Sequence, residues 1–333
     1  MIEQDSVARD LTARASLPHT FPQRRATRQA YGQTLVELVD EGLDVVAVDA
    51  DLSCSTTTAC LGKNYPERLF NVGVAEQNMI GVAAGLSLTG KIAFTGSFAV
   101  FASGRAYDQI RNTVCYSRLN VKIAPSHAGI SVGADGGSHQ MLEDIALMRV
   151  LPNMRVLVPA DFISAQAAIR LAATSPGPFY VRLGRAPVAT LYTNHKDFAP
   201  GHSRCLRAGT DISLIACGAL VEQALTAAEL LAQAGISAEV IDAFSLKPLD
   251  TEGILASARK TGRVLSCEEH SVIGGLGSAL AELLAENPGI APHGLKRVGV
   301  QDRFGTSGAI DELFSVFGLD AQSLYDVVVK WLR

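Results

Sequence analysis

The chain has 333 residues, 48% hydrophobic and 19% charged, with a net charge of −4 at pH 7. That length holds two domains with sizeable cores, and the charge balance gives no sign of a polybasic surface for nucleic acid or membrane. Its apolar runs are short and broken by Gly, Ser or Thr, so no transmembrane span is expected.

Residues 1–25 lack an apolar signal-peptide core, and Glu3, Asp5 and Asp10 argue against a transit peptide. The segment reads as an N-terminal arm, mobile or partner-bound, of a cytoplasmic protein. The six cysteines form no CxxC and no metal-ligand spacing, so most are expected to be buried free thiols.

Strand "DVVAVD" (44–49) comes first. A small-residue helix follows Glu76, then strand "KIAFTG" and an amphipathic helix from about Phe98 to Tyr116. Strand "NVKIAP" is next. Strand "RVLVPA" leads into a helix over 161–174 with Asp161 as N-cap, and strand "FYVRLG" closes this half. Continuous apolar strands between helices imply a parallel sheet covered on both faces.

Periodicity fades across 185–210, and residues 191–209 read as a linker. A second alternation follows: "DISLIAC", a helix over 219–234, "AEVIDA", a helix over 251–260, "RVLSCE", a helix over 276–286, "LKRVGV" and a final helix near 321–332. The expected architecture is α/β: two doubly wound domains with mainly parallel sheets, over 26–190 and 210–333. No solenoid period is visible.

Four segments are candidates for chemistry. Glu76 is the single carboxylate between Leu69 and Gly90. It reads either as a first-turn residue favoured by the helix dipole or as a carboxyl in a small-residue pocket that exchanges a proton with a ligand. The loop "SHAGISVGADGGSHQMLED" (126–144) follows a strand and holds His127, Asp135 and His139. Open α/β sheets bind ligands at such strand ends, and the glycines let backbone approach closely. Metal ligation by these histidines is the minor reading, because the spacing fits no common zinc motif.

In "TGSFAVFASGRAYDQIR" (95–111), Phe98 and Phe101 share a helix face, with core packing as the default reading. Arg105, one turn further, reads as a surface ion-pair partner or an anion contact. "GGLGSAL" (274–280) lacks the third glycine of a dinucleotide fingerprint and reads as a tight strand–helix turn.

Together "ATRQAYG", "VDADLSCS", "VGVAEQNM", "SFAVFASGRAYDQIR", the GxDGxSHQ loop and "VRLGR" resemble the C-terminal half of a transketolase. The resemblance covers about residues 26–190 strongly and the rest more loosely, through "FGTSGAIDELFSVFGL". It implies a thiamine-diphosphate site and transfer of a two-carbon ketol unit from a ketose phosphate to an aldose. Glu76 matches the carboxyl that hydrogen-bonds the cofactor's aminopyrimidine and favours the imino tautomer that activates the thiazolium carbon. The cofactor then supplies the carbanion chemistry.

The resemblance further implies that Phe101 stacks on the pyrimidine with Phe98 beside it, and that Asp51 lies on the thiazolium side. His139 matches the histidine that contacts the donor and moves protons, and Asp135 the residue that reads a substrate hydroxyl. Arg28, Ser55, His127 and Arg185 match the groups gripping the sugar phosphate. Arg105 would touch phosphate or only brace its helix.

Two departures stand out. Gly137 occupies a position where the family usually has Pro or a similar residue, and no Gly-Asp-Gly motif for diphosphate and metal occurs. The chain therefore resembles the smaller subunit of a split transketolase. The implied partner is a larger subunit that carries Gly-Asp-Gly and holds the diphosphate with Mg2+ or Ca2+, in an α2β2 heterotetramer inactive without it. Alternatives are a 2-oxo-acid dehydrogenase beta-type subunit, a deoxyxylulose-phosphate-synthase-like activity and a non-catalytic partner subunit.

Overall fold

The structure is a computed structural model that describes residues 23–333; most of the expected arm, residues 1–22, lies outside the described residues. In chain order the strands of the first half are β1 (Arg24–Ala26), β2 (Val45–Asp49), β3 (Leu69–Asn71), β4 (Ile92–Gly96), β5 (Val121–Ile123), β6 (Arg155–Leu157), β7 (Phe179–Val181) and β8 (Pro187–Ala189). Those of the second half are β9 (Arg204–Arg207), β10 (Ile212–Ala216), β11 (Ala238–Asp242), β12 (Ser245–Lys247), β13 (Val264–Ser271) and β14 (Leu295–Val300).

Two α/β sheets result. One has seven strands in the order β12-β6-β7-β5-β4-β2-β3, the other five in the order β14-β13-β10-β11-β9. All pairings are parallel except those of β12 with β6 and β9 with β11. Every residue of β2, β5, β7, β10 and β11 is buried, as expected of strands covered by helices on both faces. β1 and β8 form a separate antiparallel ribbon.

The helix Phe162–Thr174 starts where its cap residue predicts. Asp161 Oδ1 accepts the Ser164 N–H at 2.7 Å. Its Oδ2 accepts the N–H groups of Leu191 and Tyr192 at 2.8 and 3.0 Å. The stretch expected as a linker is thus tied down. Tyr192 donates its hydroxyl to Asp242 at 2.6 Å, and Phe198 packs between Tyr192 and Phe244. Its lack of periodicity has a physical cause: it crosses from sheet to sheet and so has no single buried face. Strand β12 is a second surprise. It follows β11 in sequence yet pairs with β6 of the first sheet.

The helix expected over 98–116 is interrupted. Val100–Arg105 and Gln109–Tyr116 are π-helical, a widened turn frequent at functional sites. Only three of the six free cysteines are buried (Cys115, Cys217 and Cys267). Cys54 and Cys60 are exposed because the short helices after β2 lie at the surface. The "GGLGSAL" stretch is the tight turn expected, and the N–H groups of Leu276 and Gly277 are accepted by Glu268 at 2.7 and 2.8 Å. Among the described residues no helix is long and apolar enough to cross a membrane.

Candidate functional site

Five candidate segments leave the first sheet at one end. Asp51 and Ser55 follow β2, Glu76 follows β3, Phe98 and Phe101 follow β4, His127 follows β5 and Arg185 follows β7. These strands are parallel neighbours, so all five segments converge on the carboxyl edge of the sheet.

Glu76 opens the helix Glu76–Leu88 and is 2% exposed. It does not stand alone. Arg105 Nη1 donates to its Oε2 at 2.7 Å, and the same guanidinium lies 4.8 Å from the Phe101 ring centroid. Arg105 is therefore an ion-pair partner, but of the site carboxylate and not of a surface residue. Met79, Ile80, Ala83 and Ala84 share the buried face of the helix that Glu76 opens.

Phe98 and Phe101 lie 6.1 Å apart with ring planes 17° apart. Phe98 stacks on His127 at 3.8 Å, and His139 meets Phe101 edge-on at 5.4 Å. Two phenyl rings and two imidazoles thus share one cluster, which core packing alone does not require. His127 takes φ of 62°, a left-handed conformation uncommon outside Gly, and its Nδ1 shares a 2.8 Å hydrogen bond with Ser126 Oγ. Burial, then the charges of Arg28, Arg185 and His139, push its pKa down to about 3. It is neutral near pH 7.

Arg28 and Arg185 form a basic rim. Arg28 Nη1 donates to the Ser55 carbonyl at 2.7 Å, and Arg185 Nη1 to the Val132 carbonyl at 2.8 Å. Burial and the Arg185 charge lower the Arg28 pKa, so the two guanidinium groups feel each other. Among the described residues neither has a carboxylate partner, and Arg28 Nε is buried without an acceptor. Such a pair suits a phosphate oxyanion.

Asp51 and Asp135 show no hydrogen bond or ion pair to the residues of this cluster among the described residues. Both are exposed; Asp51 takes φ of 65° and accepts from Asn71 Nδ2 at 2.9 Å, and Asp135 ends the 3-10 turn Ile130–Asp135. His139 is half-buried and shares a 3.0 Å hydrogen bond with Ser138 Oγ.

Several shaping residues escaped the sequence reading. Asp49 is fully buried and accepts from Leu52 N–H, Thr56 Oγ1 and Thr58 Oγ1 at 2.6, 2.9 and 2.7 Å. It fixes the turn that carries Asp51 and Ser55, and the dense Ser/Thr run after it was the available signal. Gln140 ties the loop to the second domain, donating to the carbonyls of Ile130 and Thr306 at 3.1 and 2.9 Å. Gly137 belongs to the same contact: a Cβ there would sit 2.6 Å from the Gly305 carbonyl oxygen. The departure from Pro makes room for the second domain. Among the described residues no group of three or more His, Cys, Asp or Glu is arranged to hold a metal.

Comparison with known proteins gives the same frame. The pyrimidine binding domain model of transketolase matches residues 23–189, and the transketolase C-terminal domain model matches 201–324. A "transketolase C-terminal section" from Methanocaldococcus jannaschii is 49% identical over 93% of this chain and 97% of its own length. A 6-deoxy-6-sulfo-D-fructose transketolase subunit from Clostridium sp. is 44% identical over 89% of this chain and 91% of its own. A solved structure described as a split gene transketolase, inactive beta4 tetramer, aligns at a TM-score of 0.83 and 50% identity, covering 92% of this chain and 98% of that one. With both domain models matched in order and relatives alike over nearly their whole length, the chain belongs to the transketolase family, as a subunit of the C-terminal-section type.

Proposed function

We propose that this chain is the pyrimidine-binding half of a two-chain, thiamine-diphosphate-dependent transketolase, transferring a two-carbon ketol unit from a ketose phosphate to an aldose. The observation that carries the reading is the convergence, at one sheet edge, of a buried carboxylate, an aromatic shelf and two guanidinium groups without carboxylate partners. These features fit the cofactor. Glu76 offers a dry carboxyl to a ring nitrogen, and Phe98 and Phe101 offer flat apolar faces to a heteroaromatic ring. Bound thiamine diphosphate supplies the carbanion chemistry that side chains lack.

The chain's own residues do the rest. Glu76 holds the proton at the pyrimidine edge, Phe101 with Phe98 fixes the ring plane, and Asp51 flanks the thiazolium side. Arg28, Arg185 and Ser55 grip the anionic end of the donor. Neutral His127 adds a hydrogen bond there without repelling the two arginines. His139 contacts the donor and moves protons, and Asp135 reads a sugar hydroxyl.

The diphosphate and its Mg2+ or Ca2+ fall to a larger subunit with a Gly-Asp-Gly motif, in a cytoplasmic α2β2 heterotetramer. The description of the split-gene relative as an inactive tetramer of beta chains supports a subunit that is idle alone. The relative named for a sulfonated sugar widens the donor class, because a guanidinium pair accepts sulfonate as well as phosphate.

Calorimetry tests the proposal. ThDP with magnesium is titrated into the chain alone, then into the chain co-expressed with its larger partner. Binding only in the pair supports a shared interfacial site. Tight binding to the chain alone overturns it, as does unchanged turnover of the assembled Glu76→Ala complex.

A further inference from the structure

Strand β13 of the second domain reads Val-Leu-Ser-Cys-Glu-Glu-His-Ser, and its acidic pair is buried: Glu268 is 0% and Glu269 4% exposed. Two adjacent buried carboxylates in a central strand are costly and need a compensating role. Strand alternation sends them to opposite faces. Glu268 accepts the N–H groups that open the helix Leu276–Glu286, which explains it.

Glu269 faces the first domain. Its Oε1 accepts the backbone N–H of Ser131 at 2.5 Å, across 138 residues of sequence. The carboxylate fills the space that a Cβ on Gly129 would need, and Gly129 takes φ of +81°. The backbone carbonyl of Glu269 accepts from Arg182 Nη2 at 2.9 Å, and Arg182 Nη2 also reaches the Met141 carbonyl at 3.3 Å. Arg182 is itself anchored on Asp144 at 2.8 Å. Both ends of the loop that carries His127, Asp135 and His139 therefore rest on this one strand position.

We propose that Glu269 is a positioning residue for donor binding: its carboxylate, supplied by the C-terminal domain, sets the height of the 129–139 loop. The proposal rests on the reading of that loop as the donor site. Removing the acceptor leaves a buried N–H unsatisfied and lets the loop shift. A shift near 1 Å is enough to weaken contacts whose geometry is tight. The effect falls chiefly on donor binding: the loop touches the aromatic shelf only through the rings of His127 and His139, whereas Glu76 and its partner Arg105 are held by other segments.

The test compares wild type, Glu269→Ala, Glu269→Gln and Glu269→Asp in the complex assembled with the larger subunit. Donor KM should rise roughly tenfold in Glu269→Ala, the usual reach of one lost hydrogen bond to a charged group, while ThDP affinity stays within about twofold. Gln keeps an acceptor at the same reach and should restore most of the donor KM. Asp retracts the acceptor by one methylene and should behave like Ala; it carries the test if Ala does not assemble. Independently of activity, hydrogen exchange at 130–139 should quicken in the Ala or Asp variant of the chain alone.

An unchanged donor KM in a folded Ala or Asp complex, or unchanged exchange, overturns the proposal. So does a fall in thermal stability with no KM effect, which marks a mere domain staple. Glu76→Ala, run alongside, separates the two layers. If it keeps turnover, the functional reading itself fails; if it loses turnover while Glu269→Ala keeps its donor KM, only the positioning role fails.

Discussion

Glu76 and Arg105 form a 2.7 Å ion pair in which the carboxylate side chain is 1% exposed and the guanidinium 51%. The pair links the buried Glu76 carboxyl to the Phe98–Phe101 shelf, because the same guanidinium lies over Phe101. Arg105→Leu strands a buried carboxylate. The half-solvated partner limits the loss to about 1 kcal/mol, or a Tm lower by about 2 °C. Glu76→Ala should instead abolish turnover in the assembled complex, by about a hundredfold or more, with little change in Tm. Thermal melts and steady-state assays separate the two effects.

Gly81 and Gly85 lie on the exposed face of the helix Glu76–Leu88, and a Cβ at either meets nothing within 4 Å. Alanine at each position should raise the stability of the chain alone by about 0.5–1 kcal/mol, from helix propensity. If a partner helix packs on this face, the same substitutions should weaken assembly with the larger subunit. Melting of the chain alone and sedimentation of the pair should move in opposite directions. Sedimentation equal to wild type would mean that the face stays open in the complex.

Stability against pH carries opposing contributions. His127 is pushed from 6.5 to about 3, and His270 from 6.5 to about 4, both chiefly by burial. Below 6.5 the unfolded chain binds protons that the folded chain refuses. Their contribution is full above 6.5 and is lost as pH falls toward 4 and 3. Asp242 and Glu268 are raised to about 7 from 3.8 and 4.5, again chiefly by burial. The folded chain keeps protons that the unfolded chain has released, so their contribution is full at low pH and is lost as pH rises to 7. The four groups largely cancel between about 4.5 and 6.5. Asp242→Asn removes one acid. Its Tm relative to wild type should therefore climb from pH 4.5 to 8, and a difference independent of pH would refute the assignment.

Asp161 serves three N–H groups, those of Ser164, Leu191 and Tyr192. Asp161→Ala loses a helix cap and leaves two buried donors of the interdomain segment unsatisfied. The expected cost is about 2–4 kcal/mol, several times that of an ordinary cap, with Tm lowered by about 5 °C. Asp161→Asn, which keeps acceptors, should recover about half of it. Chemical denaturation of both variants gives the comparison.

Much of the site was legible. Glu76 is a lone carboxylate among small apolar residues, and the 126–144 loop concentrates Gly, His and Asp after a strand, so both announce chemistry in short windows. Arg105 was visible but its partner was not. It sits 29 residues from Glu76, and only the packing of the helix Glu76–Leu88 beside the π-helical segment brings them together. Asp51 and Asp135, singled out by motif, lie exposed, while the buried Asp49 two residues before Asp51 went unnoticed. A motif fixes residue order, but burial depends on which way each side chain leaves the strand.

The strands follow the same division. The sequence by itself determined β2, β4, β5, β6, β7, β10, β11, β13 and β14, because each lies in a short segment rich in apolar residues set between helical patterns, as burial between layers of helices requires. Local composition reports that burial directly. Tertiary structure alone decided β1, β3, β8, β9 and β12, each three or four residues long. These segments carry no apolar run between helical patterns, and their pairing is set by the edge they reach: β12 joins the first sheet from within the second half of the chain. Glu269 belongs with them. Its carboxylate meets Ser131 only because the two halves of the chain pack together, and no local pattern encodes a contact across 138 residues.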